Sequence, residues 1–185
     1  SNALKDKDVS FCIDSEAPQH LSNKCIKGLG IFSKYPIIRS GTLRLPRVGA
    51  NRIAIWADLK YSSKKTIRIY NLHLSNRDGK NYIPIDGRAK QGQYILDHIN
   101  SVLEQKPNIP IIVMGDFNSL NKIYNPWVNE KNINNFKDYL TPTISSFVPT
   151  MIIPYKTDWI FFKNLTLKKS KVSRIFLSDH FPVMA

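Results

Sequence analysis

The segment Gly115-Asp116-Phe117-Asn118 has the residue types most suited to chemistry, and it directly follows the apolar run Ile111-Ile112-Val113-Met114. A strand that ends in this way projects polar side chains into a crevice at the edge of a sheet. The carboxylate of Asp116 could take a proton from water or bind a metal, and the amide of Asn118 could hold a phosphate oxygen or the attacking water. The alternative is an ordinary turn, because Gly, Asp and Asn are common turn residues.

A second polar segment, Ser178-Asp179-His180, lies near the C-terminal end of the sequence and follows another apolar run. Aspartate is a ligand for hard divalent cations, and histidine titrates near neutral pH. The adjacent Asp179 and His180 therefore offer a metal ligand and a group that can contact or protonate a substrate. The alternative is a strand end capped by polar residues, which involves no chemistry.

Two more residues fit the same chemistry. His73 lies within the apolar segment Tyr70-Asn71-Leu72-His73-Leu74, where a histidine is more often a hydrogen-bonded core residue than a catalytic one. Asp158 opens the apolar segment Asp158-Trp159-Ile160-Phe161. A buried aspartate needs a partner. Histidine is the natural one, because a carboxylate fixes the imidazole tautomer and stabilises its charged form.

The elements that position these residues are short apolar runs separated by turn residues, a pattern typical of β-strands. Several runs are apolar on both faces, as expected for strands buried between two layers. The segment Ser62-Ser63-Lys64-Lys65 has the composition of a hairpin tip. The predicted strands are Gly30–Phe32, Ile53–Trp56, Ile67–Leu74, Ile111–Met114, Trp159–Phe162 and Arg174–Leu177.

One amphipathic helix is predicted from Arg88 to Gln105, with Asp86 as its N-cap. The segment 121–149 is polar and is predicted to form long loops with a short helix. Interleaved strands and helices predict an α/β fold in which sheets lie inside and helices outside. The apolar face of the long helix is formed by Ile95, Leu96, Ile99, Val102 and Leu103.

The charge balance favours a polyanionic partner. Lys and Arg number 27 against 14 Asp and Glu, which gives a net charge of +13. Nucleic acid, an anionic membrane surface or a phosphorylated small molecule would suit such a chain. The alternative is a general preference for lysine that only promotes solubility. No obligate protein partner is indicated.

Length and composition predict one globular domain spanning residues 4–185. Ser1-Asn2-Ala3 resembles the remainder of a cleaved affinity tag and is excluded from fold reasoning. The two cysteines, Cys12 and Cys25, are too few for a disulfide scaffold, and either one bridge or two thiols fits. No apolar run reaches the roughly 18–20 residues of a membrane span. The compartment stays open, because a signal peptide could precede the sequence.

The order of these motifs resembles the endonuclease/exonuclease/phosphatase superfamily, which includes pancreatic-type DNases, abasic-site endonucleases, neutral sphingomyelinases and inositol polyphosphate 5-phosphatases. The resemblance covers about Gly28 to Ala185. Its fold is a DNase-I-like α-β-β-α sandwich with two sheets. The matching segments are Gly28–Ile37, Arg52-Ile53-Ala54, Asn71-Leu72-His73, Arg88-x-x-Gln91, Gly115–Asn118, Asp158–Phe161 and Ser178–Val183.

The resemblance implies a Mg²⁺- or Mn²⁺-dependent hydrolase of phosphodiester bonds. Asp116 would orient or deprotonate the attacking water, and Asn118 would help to hold that water and the phosphate. His180 would contact the scissile phosphate, Asp158 would pair with His180, and Asp179 would bind the metal. Two further residues would contact the substrate, His73 at the phosphate or leaving group and Arg88 at the start of the helix.

One family feature has no match in this sequence. The principal metal ligand of the family is a glutamate at the end of its second strand, and none of Glu16, Glu104 and Glu130 has that setting. We therefore expect the domain to lack its first strand-helix-strand unit. Three functions remain open: a nuclease, a lipid or inositol phosphoesterase of the sphingomyelinase type, and a fragment that is inactive for lack of this glutamate.

Overall fold

The computed structural model describes residues 9–13, 28–49, 51–76, 85–119, 131–144, 148–152 and 155–185, with the backbone alone for 9–13. They form the predicted mixed α/β fold, and its central element is a six-stranded sheet. The helices are α1 (Ile85–Gln105) and α2 (Lys131–Tyr139). The strands are β1 (Val9–Ile13), β2 (Gly28–Phe32), β3 (Ile37–Arg44), β4 (Ile53–Lys60), β5 (Thr66–His73), β6 (Ile111–Asp116), β7 (Thr141–Pro142), β8 (Asp158–Lys163), β9 (Lys171–Val172) and β10 (Val183–Met184).

The six-stranded sheet has the order β3-β4-β5-β6-β8-β7. Its strands pair antiparallel except for β5 and β6, which are parallel and are joined by α1. A parallel pair needs such a crossover, and it places the carboxyl ends of both strands at one edge of the sheet. We call this edge the carboxyl edge; β3, β5 and β6 end there, and β4 and β8 begin there.

Each face of the sheet is buried by a different layer. On one face α1 and α2 pack against the sheet through a large apolar core that includes Ile95 and Phe136. On the other face β2 packs against β4 in a smaller core of isoleucine, leucine and alanine side chains. Residues on both faces of β4 are buried, which is why its sequence is apolar almost without interruption.

The second layer of strands consists of two separate antiparallel pairs, β1 with β2 and β9 with β10. The first pair packs over β3, β4 and β5, whereas β10 packs over β8. Both described helices lie on the opposite face of the six-stranded sheet. The described residues therefore supply three layers of the predicted four-layer sandwich.

The hairpin between β4 and β5 is confirmed, because Lys60 pairs with Thr66 and the Ser62–Lys65 segment forms the turn. The long helix ends at Gln105 as predicted but begins at Ile85 rather than at Arg88. Asp86 therefore lies in the first turn of α1 instead of preceding it, so its prediction as the N-cap is wrong. A carboxylate in the first turn still interacts favourably with the helix dipole.

The predicted strand Arg174–Leu177 is wrong. Its residues form a turn in which the backbone N–H of Ile175 donates to the carbonyl of Ser173, and the strand before it is Lys171–Val172. The side chain of Leu177 is 92% exposed and that of Phe176 is 72% exposed. An apolar run predicts a strand only where a neighbouring strand can pair with it, and the described residues provide none here.

The short helix predicted within 121–149 is α2, and β7 follows it directly. Positions 121–130 and 145–147 of that segment lie outside the described residues. Among the described helices, none combines the length and the apolar character needed to cross a membrane.

Candidate active site

Three candidate residues lie side by side at the carboxyl edge because of the register of the sheet. His73 is the partner of Asp116 in the parallel pair of β5 and β6, and Asp116 is the partner of Asp158 in the antiparallel pair of β6 and β8. Directly paired residues point to the same face of a sheet. His73 Nε2 consequently lies 3.6 Å from Asp116 Oδ2.

The backbone after β6 directs the polar side chains of this row. Gly115 has φ of 138°, and a Cβ there would collide with the backbone of Leu72 on β5, so only glycine fits. Asn118 has φ of 48°. Its N–H donates to Asp116 Oδ1 at 2.8 Å, and its side-chain amide donates to the carbonyl of Leu74 at 2.9 Å. Both bonds hold Asn118 beside Asp116.

His180 joins this row from the other layer. Its Nδ1 lies 2.8 Å from Asp158 Oδ2, so the predicted hydrogen bond is present. Thr157 Oγ1 also donates to Asp158 Oδ2, at 3.1 Å. An imidazole held in this way by a carboxylate has a defined tautomer, with Nδ1 protonated and Nε2 available for other contacts.

Burial and neighbouring charges shift two pKa values in the site. Burial is the largest influence on Asp116 and raises its pKa to about 6; the charge of Asp158 acts in the same direction. The Asn118 N–H and the charges of His180 and Arg52 act in the opposite direction. Two partly desolvated carboxylates side by side favour the binding of a positive group between them.

The pKa of His180 is raised. Burial alone would lower it, but the hydrogen bond and charge of Asp158 outweigh that influence, and the charges of Asp116 and Asp179 add to them. The imidazole is therefore cationic over a wider pH range than a free histidine. A cationic donor at this position suits a negatively charged substrate.

Asp116, Asp158 and His180 could hold a metal ion, since one ligand atom of each lies within 4.8 Å of the others. Mg²⁺ prefers oxygen ligands, so the two carboxylates suit a hard divalent cation, whereas His180 could bind it only as a neutral imidazole. Asp179 lies outside this cluster; its side chain is exposed and accepts a hydrogen bond from Ser178 Oγ at 3.1 Å.

Arg88 is placed differently from its prediction as a substrate-binding residue. It is 1% exposed, and its guanidinium donates to the carbonyl of Ser75 at 3.2 Å. Gln91 accepts from the Ser75 N–H at 3.0 Å and donates to the carbonyl of Pro46. A side chain this buried cannot present its charge to a substrate in solvent. Arg88 instead holds the segment that follows β5.

Thr150 was not identified from the sequence, yet it connects the two halves of the aspartate–histidine pair. Its hydroxyl accepts from the N–H groups of Thr157 and Asp158, each at 3.1 Å, and its carbonyl accepts from the N–H of Phe181 at 2.7 Å. Thr150 is fully buried. Its only sequence signal was a β-branched residue beside a proline, which is too common to indicate a role.

A cavity of about 280 Å³ adjoins these residues and is lined by Asp116, Asp158, Asn71 and Phe181, among others. A larger cavity of about 570 Å³ lies at the opposite edge of the sheet, where no candidate catalytic residue is found among the lining residues. The chemistry of the side chains, and not the size of a cavity, therefore marks the carboxyl edge as the candidate active site.

Comparison with known proteins agrees with this geometry. A model of the endonuclease/exonuclease/phosphatase family matches residues 9–180. The chain belongs to this family. Its members are generally phosphoester hydrolases that depend on divalent metals, and the aspartate–aspartate–histidine cluster is where this chain could hold such a metal. No curated protein sequence matches the chain.

Solved structures of this family have the same fold at low sequence identity. The human Nocturnin catalytic domain with bound sulfate matches with a TM-score of 0.69 and 20% identity, covering 96% of this chain and 73% of that one. An endonuclease/exonuclease/phosphatase from Bacteroides vulgatus gives 0.71 and 18%, covering 96% and 74%. Truncated Caenorhabditis elegans TDP2 gives 0.65 and 14%, covering 95% and 70%. At these identities the likeness establishes the fold.

Proposed function

We propose that the candidate active site belongs to an enzyme that hydrolyses phosphodiester bonds in nucleic acid with the help of Mg²⁺ or Mn²⁺. The observation that carries the proposal is the convergence of Asp116, Asp158 and His180 within 4.8 Å. These residues come from two strands and a C-terminal segment, and they combine two carboxylates with an oriented imidazole. Such a set suits hydrolysis at a phosphate, where a nucleophile and a cationic donor are both needed.

The protein residues divide the work as follows. Asp116, whose carboxylate is ionised above its pKa of about 6, accepts a proton from the attacking water while the side chain of Asn118 helps to hold that water. The water oxygen bonds to phosphorus, the bond to the leaving oxygen breaks, and the leaving oxygen takes a proton from solvent, so that a phosphomonoester and an alcohol result. His180, oriented by Asp158, donates to a non-bridging phosphate oxygen as charge develops on it.

A divalent ion bound near Asp116 and Asp158 would neutralise phosphate charge and lower the pKa of water. The exposed side chain of Asp179, which lies outside the cluster in this structure, would have to turn toward the ion to add a further ligand. His73 lies at the open end of the row, where it can contact the leaving group or a phosphate oxygen. Its side chain is 40% exposed, which is compatible with reaching a bound substrate. Arg88 donates to the carbonyl of Ser75 and is not proposed to touch the substrate.

Nucleic acid is the proposed substrate because positive charge accompanies the carboxyl edge. Arg44 lies at the end of β3 and Arg47 follows it, and both are exposed. Arg52 is close enough to lower the pKa of Asp116 through its charge. Cationic side chains beside a catalytic row attract successive phosphates of a chain. A lipid or inositol phosphoesterase is the alternative, and a basic surface could also meet anionic headgroups.

We expect the isolated chain to have little activity, and the composition of the site supports this expectation. Within the described residues, the candidate metal cluster holds two carboxylates, and Asp158 already engages His180 and Thr157. Glu104 lies near the end of α1 that is remote from the carboxyl edge, and Glu16 and Glu130 lie outside the described residues. Mg²⁺ dehydrates reluctantly, so one missing anionic ligand weakens its binding.

The test compares this 185-residue chain with a chain extended at its N-terminus, each assayed with excess Mg²⁺ and with EDTA. The substrates are single-stranded DNA, duplex DNA, RNA, a phosphoinositide and sphingomyelin. We expect EDTA-sensitive cleavage of nucleic acid by the extended chain and little or none by the shorter one. His180→Ala of the extended chain controls for contaminating nuclease. Equal EDTA-sensitive rates would show that the shorter chain holds a complete metal site, and cleavage of lipid alone would overturn the choice of substrate.

A further inference from the structure

A second cleft of about 570 Å³ lies at the edge of the six-stranded sheet opposite the candidate active site. Its two walls are the hairpin tip between β4 and β5 and the segment that connects α1 to β6. Strand β5 separates the two edges, since Thr66 lines this cleft and His73 lies at the carboxyl edge. Seven residue steps along a strand span about 23 Å. A group bound in the cleft is therefore too far away to belong to the reacting phosphate.

The cleft is positively charged. Lys64 and Lys65 line it from the hairpin tip, Lys106 lines it from the other wall, and no carboxylate is among its lining residues. The carboxyl end of α1 nearby carries a partial negative charge of about half a unit, which three full positive charges exceed. Tyr61 and Asn108 add hydrogen-bonding groups to the lining. We call these five residues the lysine cleft.

Both walls of the lysine cleft are held by backbone hydrogen bonds. In the hairpin tip, the N–H of Tyr61 donates to the carbonyl of Lys65 at 3.2 Å. In the opposite wall, the N–H of Ile109 donates to the carbonyl of Lys106 at 3.1 Å, and the amide of Asn164 donates to the carbonyls of Pro107 and Ile109. The shape of the cleft therefore exists before any ligand binds, which lowers the entropic cost of binding.

We propose that the lysine cleft is a secondary binding site for clustered phosphate groups, carried either by a nucleic-acid strand or by a free oligophosphate. Lys64, Lys65 and Lys106 line one cleft without a carboxylate among its lining residues, so they repel one another, and a multiply charged anion in the cleft relieves that repulsion. The volume lies in the range of small-ligand sites, roughly 300–1,000 Å³. This site is independent of the proposed catalytic function, because none of its residues belongs to the carboxyl edge.

The test is a binding experiment in EDTA with ¹⁵N-labelled protein. Tripolyphosphate is titrated in one arm and a 5′-phosphorylated single-stranded DNA oligonucleotide in the other. We expect backbone amide shifts concentrated at Lys64, Lys65, Lys106 and Asn108. Shifts with tripolyphosphate alone identify a free oligophosphate as the ligand, and shifts with the oligonucleotide alone identify a nucleic-acid backbone. No shift at these amides with either ligand overturns the proposal.

Variants assign the binding to the lysines. K64Q/K65Q/K106Q should weaken binding roughly tenfold or more. Each phosphate contact contributes about 0.7 to the slope of log affinity against log salt concentration, so the loss of three lysines should lower the slope for the oligonucleotide by about 2. K34Q/K90Q/K168Q removes the same charge from exposed positions outside the lysine cleft and should leave the amide shifts in place. K64R/K65R/K106R keeps the positive charge and should bind about as well as the unsubstituted chain. This comparison separates the loss of charge from a change in the fold of the hairpin. Unchanged binding by the first variant overturns the proposal.

Discussion

Replacing Asp158 with asparagine removes the charge that His180 contacts while keeping the size of the side chain. The carboxylate Oδ2 lies 2.8 Å from His180 Nδ1, and the side chains are 21% and 31% exposed, respectively. Asparagine can still accept a hydrogen bond through its carbonyl oxygen. Asp158→Asn therefore tests the negative charge rather than the shape of the site.

The size of the effect follows from the strength of this bond. A hydrogen bond to a charged group contributes about 1.5–3 kcal/mol. Because both side chains are partly exposed, the lower half of that range, about 1.5–2 kcal/mol, applies here. At about 1.4 kcal/mol for each factor of ten, the loss of phosphodiesterase kcat/KM should be roughly 10- to 30-fold if the bond acts in the transition state. The pKa of His180 should also fall, since the charge and hydrogen bond of Asp158 are what raise it.

Two measurements separate catalysis from folding. Steady-state hydrolysis by the chain that shows activity gives kcat/KM, and NMR of the imidazole in metal-free protein gives the pKa of His180. Asp138→Asn, an exposed aspartate on α2, is the matched control and should change neither value.

A normal rate with a lowered pKa would show that the charge of His180 is not used in the reaction. An unchanged pKa would mean that the hydrogen bond between Asp158 and His180 does not persist in solution. Either result would refute the role proposed for Asp158.

Three further predictions concern stability, measured by urea unfolding. Asp116→Asn should abolish activity yet raise the free energy of unfolding at pH 7.5 by on the order of 1–3 kcal/mol. Burial raises the pKa of Asp116 to about 6, so ionisation of Asp116 destabilises the folded chain as pH rises from about 4 to 6. An equal gain in stability at pH 4 would contradict this. Asp58→Asn should lower the free energy of unfolding by about 3–5 kcal/mol, because it leaves the buried guanidinium of Arg68, bonded at 2.6 and 2.7 Å, without its carboxylate. Asp58→Leu combined with Arg68→Met should recover most of that loss. A small loss in the single variant would rule out the buried ion pair. Burial lowers the pKa of Lys156 to about 8, so stability should rise between pH 8 and 10.5, where the unfolded chain binds more protons than the folded chain. Lys156→Met should remove that rise. A rise that persists in the variant would contradict the assignment to Lys156.

The sequence alone was sufficient for local structure and for the chemical types at the site. Alternating and continuous apolar runs predicted the strands that carry His73, Asp116 and Asp158, and turn residues predicted the hairpin at Ser62–Lys65. These features depend on residues close together in the chain, so short-range patterns contain them. The family was also recognisable, because the order of its motifs is itself a property of the sequence.

Tertiary structure alone decided which of these residues meet and how their environment changes them. The register of β5, β6 and β8 places His73, Asp116 and Asp158 in one row, and Thr150 connects Asp158 to the segment of His180. Burial decided that the pKa of Asp116 is raised. Sheet register and desolvation depend on contacts between segments far apart in the chain, which local patterns do not encode.

The same reason explains two of the predictions that the structure corrected. Arg88 has the residue type of a phosphate-binding group, but the packing of α1 buries it against the carbonyl of Ser75. Arg174–Leu177 has the composition of a strand, but no neighbouring strand among the described residues pairs with it. Residue type and composition describe what a segment could do, and the arrangement of its neighbours in the folded chain determines what it does.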